Sequence, residues 1–392
     1  MPIRLSDRVQ RIKPSATLAV ADRAEKLKAA GGDIINLSVG EPDFDTPSPI
    51  KEAAIRAIQA GFTKYTAVDG VISLKEAIAV KFAQDNNLIY GLEQIIVSCG
   101  CKQAFFNLCQ ALLNEGDEVI IPAPYWVSYP DMVSLAGGIP VIVETKFEDN
   151  FKINAEQLAS AITPKTRLVV INSPSNPSGI AYSKQELTDL GKVLLGYPEL
   201  LIASDDMYEH ILWNHKPFSN IVNACPELYE RTVVLNGASK AYAMTGWRIG
   251  YAAGPASLIA AMKKIQSQST SNPNSIAQIA VQAALQGNQQ PVRDMAKAFK
   301  KRHDIVVEKL NSIEGIECLP ADGTFYIFPR VIQAMAKLQL QSDLEFAEYL
   351  LKKTGVAVIP GSAFGTPGCI RLSFASSEEV LLDAMQRIKT IL

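Results

Sequence analysis

The stretch NGASKAYAMTGWRIGY at residues 236–251 sets Lys240 among small and apolar neighbours, with Arg248 eight positions further on. A lysine in such a setting loses hydration, so its ammonium form is disfavoured and more of it is a neutral, nucleophilic amine. Four other stretches carry polar residues of complementary chemistry. CGCKQAFF turns at Gly100 into a helix start at Cys101 and Lys102, whose free N–H groups suit a phosphate. APYWVSYP offers Trp126 as a stacking face. SPSNPSG holds Asn176 between prolines with Gly179 to follow, and DDMYEH supplies Asp205, Asp206 and Tyr208. Each has an ordinary structural explanation when taken alone: a surface lysine, a core aromatic, a rigid turn or a helix cap.

Every one of these stretches follows a short apolar run. The strand candidates are QIIVS (94–98), EVIIP (118–122), IPVIVE (139–144), RLVVIN (167–172), LLIAS (200–204), TVVLN (232–236) and IGYAA (249–253). Runs that are apolar throughout and separated by amphipathic helix-length segments predict a mainly parallel, seven-stranded α/β sheet covered on both faces. Helices are expected at SPIKEAAIRAIQAG and SLKEAIAVKFAQDNN. In open sheets of this kind ligands bind beyond the carboxyl ends of the strands, which is where the polar residues gather. Residues 48–290 read as a large domain. Residues 291–392, opening on the helix PVRDMAKAFKKRHDIVVEKLNS and carrying the strands TFYIF and CIRLSF, read as a smaller α+β domain. Residues 1–47 read as an arm that joins the smaller domain rather than the sheet.

Composition narrows the function classes. The chain has 392 residues, enough for two domains, and its 38 Lys and Arg against 40 Asp and Glu give a net charge of −2. No bulk cationic field exists to hold nucleic acid or an anionic membrane, so any anion needs a local site. The six cysteines form no C-x-x-C pair and the three histidines no H-x-x-x-H, which leaves a metal centre without support. With no apolar leader and no span-length apolar run, the chain reads as cytoplasmic and reduced.

The parts collected at the strand ends suit a cofactor with an aldehyde, an aromatic ring and a phosphate. Lys240 can condense with the aldehyde, and Asp205 can keep a ring nitrogen protonated, strengthening an electron sink. Trp126 can stack on the ring, and Asn176 and Tyr208 can bond its hydroxyl. Ser239, Arg248 and the Gly100–Cys101–Lys102 turn can enclose the phosphate. Pyridoxal 5′-phosphate fits this inventory. The nucleotide-binding alternatives lack their marks, since neither G-x-G-x-x-G after the first strand nor G-x-x-x-x-G-K-[ST] occurs.

GASKAYAMTGWRIG resembles the cofactor-attachment signature of class-I aminotransferases of fold type I. SVGEPDFDTP, TKYTAVDG, PAPYWVSYP, NSPSNPSG and GVAVIPGSAFG…IRLSF resemble that family's motifs in order and spacing. The resemblance spans essentially the whole chain and is nearest the prokaryotic-type aspartate aminotransferases. It implies that Lys240 is the attachment lysine and general base. It further implies that Arg371 binds the substrate α-carboxylate with Asn176, Trp126 and the backbone near Gly40. By the same resemblance the enzyme is a homodimer, with Tyr65 reaching the phosphate of the other subunit's site. Ser178 and Asp206 stand where Thr and Glu are common in the family, and both keep the polar character.

For a dicarboxylic substrate the resemblance makes Lys102 the partner of the distal carboxylate, with Ser15 and Thr17 closing over the site and Lys13, in the same arm, placed to contact a bulkier acid. The expected reaction moves an amino group between L-aspartate and 2-oxoglutarate. Use of prephenate, giving arogenate, is compatible with Lys13. An aromatic or alanine aminotransferase and a carbon–sulfur lyase share most of the cofactor residues. A non-enzymatic regulator of this fold would carry an added DNA-binding segment.

Overall fold

The computed structural model describes residues 3–14, 16–213 and 217–392. The first strand, β1 (Ile35–Asn36), stands apart from the main sheet. The next seven are β2 (Ile95–Ser98), β3 (Glu118–Pro122), β4 (Ile139–Val143), β5 (Thr166–Asn172), β6 (Leu201–Asp205), β7 (Thr232–Gly237) and β8 (Gly250–Ala253). They form one sheet in the order β2-β8-β7-β6-β5-β3-β4. All neighbours are parallel except at β8, which runs antiparallel to β2 and β7. The seven strands expected from the apolar runs are therefore all present.

Alternate residues of these strands enter different cores. Ile96, Val119, Ile121, Leu168, Val170, Val233 and Leu235 pack on one face. Ile95, Val97, Ile120, Val169, Ile171, Ile202 and Val234 pack on the other. Burial on both faces explains why the runs show no apolar–polar alternation. Full burial of each such side chain contributes about 1.5–3 kcal/mol, so the sheet is a stiff base for whatever its ends carry.

The C-terminal third builds a second unit from β9 (Tyr326–Ile327), β10 (Val356–Ala357), β11 (Ile359–Pro360) and β12 (Ile370–Ser373). β12 lies between β11 and β9, antiparallel to both. β1 pairs in parallel with β10, and Ala24 of the Ala16–Ala29 helix packs on Leu351 and Ala357. These contacts set that helix and β1 against the second unit. The first residues of the chain depart from that, because Arg11 pairs with Glu115 at 3.2 Å, beside the main sheet's helices. The long helix Gln290–Asn311 turns Phe299, Val306 and Leu310 inward at helical spacing, on one face.

All six cysteines are free, five of them buried. Among the described residues no helix is long and apolar enough to cross a membrane, and no cluster of His, Cys, Asp and Glu is arranged to hold a metal ion.

One glycine fixes how the sheet meets the turn above it. A Cβ on Gly250, the first residue of β8, would overlap the backbone of Gly100 and Cys101. Gly250→Ala is expected to cost about 1–3 kcal/mol of folding stability by such overpacking. Urea denaturation of the cofactor-free protein reads this directly, and an unchanged midpoint would contradict the packing described.

Candidate active site

A cavity of about 350 Å³ opens above the carboxyl ends of the parallel strands. Nearly every residue expected at the site lines it: Gly40, Cys101, Lys102, Trp126, Asn176, Asp205, Tyr208, Ser239, Lys240, Arg248, Arg371 and Thr17. Gly100 lies directly beneath Arg248. Tyr65 is 92% exposed and outside the cavity of its own chain, and Lys13 is exposed away from it. Ser15 lies outside the described residues.

Lys240 leaves the end of β7 and points into this space, where its Nζ donates to the Gly40 carbonyl at 2.6 Å. It faces the Phe325 ring at 5.9 Å and has no carboxylate bonded to it among the described residues. Burial lowers its pKa from the ordinary lysine value to about 8. Glu41 opposes that shift, while the cations Arg248, Arg371 and Lys102 add to it. The space beside the Gly40 Cα is filled by the Tyr326 hydroxyl, so the missing Cβ there is required by Tyr326.

Asp205 ends β6 and is buried, accepting from the Tyr129 hydroxyl and from the Met207 N–H at 3.2 Å. Burial raises its carboxyl above the ordinary range and these two donors oppose the rise. It has no cationic partner among the described residues. Asn172, at the end of β5, joins two of the strand ends. Its amide donates to the Asp205 carbonyl at 3.0 Å, and its Oδ1 accepts from the Asn176 N–H at 2.9 Å.

Arg371 lies on β12 and is 3% exposed. Its guanidinium donates to Asn176 Oδ1 at 3.1 Å and to the Ser38 carbonyl at 2.6 Å. The rings of Tyr326 and Phe364 flank it, 4.4 and 5.0 Å away. Its Nε is buried without a partner, and no carboxylate neutralises it among the described residues. A buried guanidinium of this kind is stabilised by a ligand carboxylate, which can take two parallel hydrogen bonds.

Elsewhere in the cavity wall lie groups whose chemistry suits an anion. Gly100, at φ +86°, starts the Cys101–Leu112 helix and gives its first N–H groups no side-chain cap. Arg248 adopts φ +56°, in the left-handed region, and is anchored to the Thr245 and Cys99 carbonyls at 2.9 and 3.3 Å. Lys102 extends over the Trp126 ring at 5.1 Å. Burial, then Arg248, pulls its pKa below the ordinary value.

Sequence reasoning missed Tyr129, Asn172 and Tyr326. Asn172 closes an apolar run and Tyr129 follows Trp126 by three residues, so both carried a local signal. Tyr326, whose hydroxyl is 3.3 Å from that of Tyr208, carried none, because its segment read as ordinary strand.

Known proteins bear directly on this arrangement. The family model for aminotransferase class I and II matches residues 32–388. The aspartate/prephenate aminotransferase of Nitrosomonas europaea is 58% identical over the full length of both chains. The aspartate aminotransferase of Geobacillus stearothermophilus is 50% identical, with 98% of each chain covered. Among solved structures, the aspartate aminotransferase from Rhizobium meliloti superposes with a TM-score of 0.96 at 45% identity, covering 99% of this chain and 98% of that one. The Thermus thermophilus aspartate aminotransferase with maleate gives 0.94 at 44%, covering all of both chains.

A pKa near 8 leaves about one Lys240 in ten neutral at pH 7, against about one in three thousand for an ordinary lysine. Burial penalises the cation, so the amine gains reactivity at lower pH than surface lysines do. In the cofactor-free protein, acylation of Lys240 followed by peptide mass spectrometry is expected to reach half its limiting rate near pH 8. A profile coinciding with the surface lysines would contradict this.

Proposed function

The chain belongs to the class I and II aminotransferases, which depend on pyridoxal 5′-phosphate, and we propose that it exchanges the amino group between L-aspartate and 2-oxoglutarate, giving oxaloacetate and L-glutamate. The observation that carries this reading is that one cavity holds a buried cation and a second one that is largely desolvated. Arg371 lacks a carboxylate, and Lys240 is held short of full protonation. The first awaits an acid and the second an aldehyde.

The cofactor supplies an aldehyde that condenses with amines and a ring that draws electron density from the substrate Cα. The residues present fit it. Lys240 would attach it, and the cation-free carboxylate of Asp205 suits a protonated ring nitrogen. Trp126 would cover the ring face, with Asn176 and Tyr208 at its 3′-oxygen. The phosphate would lie among the Gly100–Cys101–Lys102 turn, Ser239 and Arg248, joined by Tyr65 of a second copy.

In the reaction Arg371 and Asn176, with the Gly40 backbone, hold the substrate α-carboxylate. Lys240 Nζ then takes the proton from Cα, and its depressed pKa suits it to this at neutral pH. Lys102 would meet the distal carboxylate, with Ser15 and Thr17 closing over it, while Lys13 would contact a bulkier acid only if the arm moved toward the cavity. A second activity, on prephenate, is favoured by the naming of the Nitrosomonas europaea relative for both substrates. The working form is a cytoplasmic homodimer. Residues 48–290 carry the cofactor, and residues 291–392, with part of 1–47, act as the smaller domain.

Titrating the holoenzyme with L-aspartate, L-glutamate, L-phenylalanine or L-arogenate, with no oxo acid added, tests the assignment through the cofactor's absorbance. Conversion at the lowest concentrations by aspartate and glutamate is expected, and a comparable response to arogenate would add the prephenate activity. Lys240→Ala should lose at least about 10⁴-fold in turnover, since attachment and base are removed together. Arg371→Ala should lower kcat/KM about 10²–10³-fold while the protein keeps its yellow colour. Near-normal turnover in the first variant, or a colourless second one, would overturn the roles given.

A further inference from the structure

Residues 61–71 form neither helix nor strand, yet their backbone is tied down on both sides of Tyr65. The Ser275 hydroxyl donates to the Phe62 carbonyl at 2.8 Å. The Gln266 amide donates to the Val68 carbonyl at 2.6 Å, and the Val97 N–H to the Asp69 carbonyl at 3.0 Å. The Asp69 carboxylate is held by Lys75 at 2.7 Å and Lys263 at 2.9 Å.

Gln278 supplies the central tie. It is fully buried on the Ser275–Gln286 helix. Its Oε1 accepts from the Val71 N–H at 2.8 Å, and its amide donates to the Thr66 hydroxyl at 3.1 Å and the Pro273 carbonyl at 2.9 Å. The amide orientation is forced, because a carbonyl oxygen can only accept and an N–H can only donate.

What this loop presents most fully to solvent is one aromatic side chain. Tyr65 is 92% exposed, and Phe62, the other aromatic residue of the segment, is 37% exposed. Ordering an irregular segment costs backbone entropy at every residue. Among the described residues that ordering serves no hydrogen bond or ring contact of Tyr65 within its own chain. It makes sense if the tyrosine is used elsewhere, because prearrangement removes the ordering cost from binding.

We infer that Gln278 is a positioning residue: its buried carboxamide fixes residues 66–71 so that Tyr65 is held ready for the phosphate group bound by a second copy of the chain. The inference rests on the homodimer reading above, in which Tyr65 completes the other subunit's site. Gln266 fixes the far side of the same loop. Its Oε1 also accepts from Ser98 at 2.6 Å and from Asn107 at 3.0 Å, on the strand and helix that flank Gly100.

A double-mutant cycle on the dimer tests this, reading the dissociation constant for pyridoxal 5′-phosphate by titration of the cofactor-free enzyme. Tyr65→Phe alone is expected to weaken binding about tenfold, as loss of a hydrogen bond to a charged group does. Gln278→Met should weaken binding about fivefold with Tyr65 present and less than about twofold in the Tyr65→Phe background. Thr66→Val removes only a hydroxyl on the surface loop. It should give a smaller loss that likewise vanishes with Tyr65→Phe, and it serves as the test if Gln278→Met does not fold. Equal losses in both backgrounds would overturn the positioning role while leaving the role of Tyr65 intact. Unchanged binding in Tyr65→Phe itself would overturn the shared-site reading, and the inference with it.

Discussion

Taking the Lys240 ammonium out of water without giving it a carboxylate is unfavourable, and the rest of the molecule is arranged to sustain that condition. Among the described residues the amine has one hydrogen-bond partner, the Gly40 carbonyl, and three cations nearby that push its pKa further down. Placing Asp205 or Glu41 in direct contact would stabilise the fold and leave a protonated, inert ammonium. Asp205 is instead occupied by the Tyr129 hydroxyl and the Met207 N–H. The stability forgone at the site has to come from the scaffold.

The scaffold supplies it in two currencies. One is the doubly buried sheet, whose strands end close together and bring Asn172, Asp205 and Ser239–Lys240 to one edge. The other is a satisfied polar network behind the site. Glu209 follows the turn that carries Asp205 and Tyr208. It contacts Lys81, and accepts from Asn86 and from Asn236 of β7, both at 2.6 Å. Burial opposes its ionisation, but Lys81, His210 and Asn86 outweigh that and hold its pKa at about 2. This pair is fully complemented, in contrast to Lys240 and Arg371. The Lys81–Glu209 pair is thus neutralised behind the site, whereas Lys240 and Arg371 in the cavity are left for a ligand to complete in the proposed role.

The parts of this design that depend on local chemistry were legible in the sequence. Apolar runs announced all seven strands of the main sheet, because burial on both faces leaves few polar positions inside the inner ones; the edge strand β4 is apolar too, although Ile139 and Ile142 are exposed. Polar residues just after those runs announced the cavity wall. Arg371 was legible only through resemblance, since it lies far along the chain on β12 and reaches the cavity through tertiary packing. The left-handed backbone of Arg248 and the Tyr326 hydroxyl against Gly40 had no sequence mark, because each exists only once distant segments are in contact. The path of the first residues toward Glu115 was likewise hidden, as an exposed ion pair contributes little and leaves no pattern.

The two anions of the proposed role impose different demands, and that difference explains the cavity's construction. An anion carried by a resident cofactor can be met by groups fixed once at folding: helix N–H groups, a hydroxyl and an anchored Arg248. A substrate that must arrive and leave needs a charge that is buried but not already spent. In the proposed role Arg371 would meet this by burying its guanidinium between two rings, with an amide oxygen and a carbonyl as its hydrogen-bond partners among the described residues, neither of which carries a full charge. A carboxylate from the protein at that point would bind it too well to be displaced. The lack of an anion beside Arg371 and the lack of one beside Lys240 therefore follow from the same requirement, which is that the site's own charges be completed from outside.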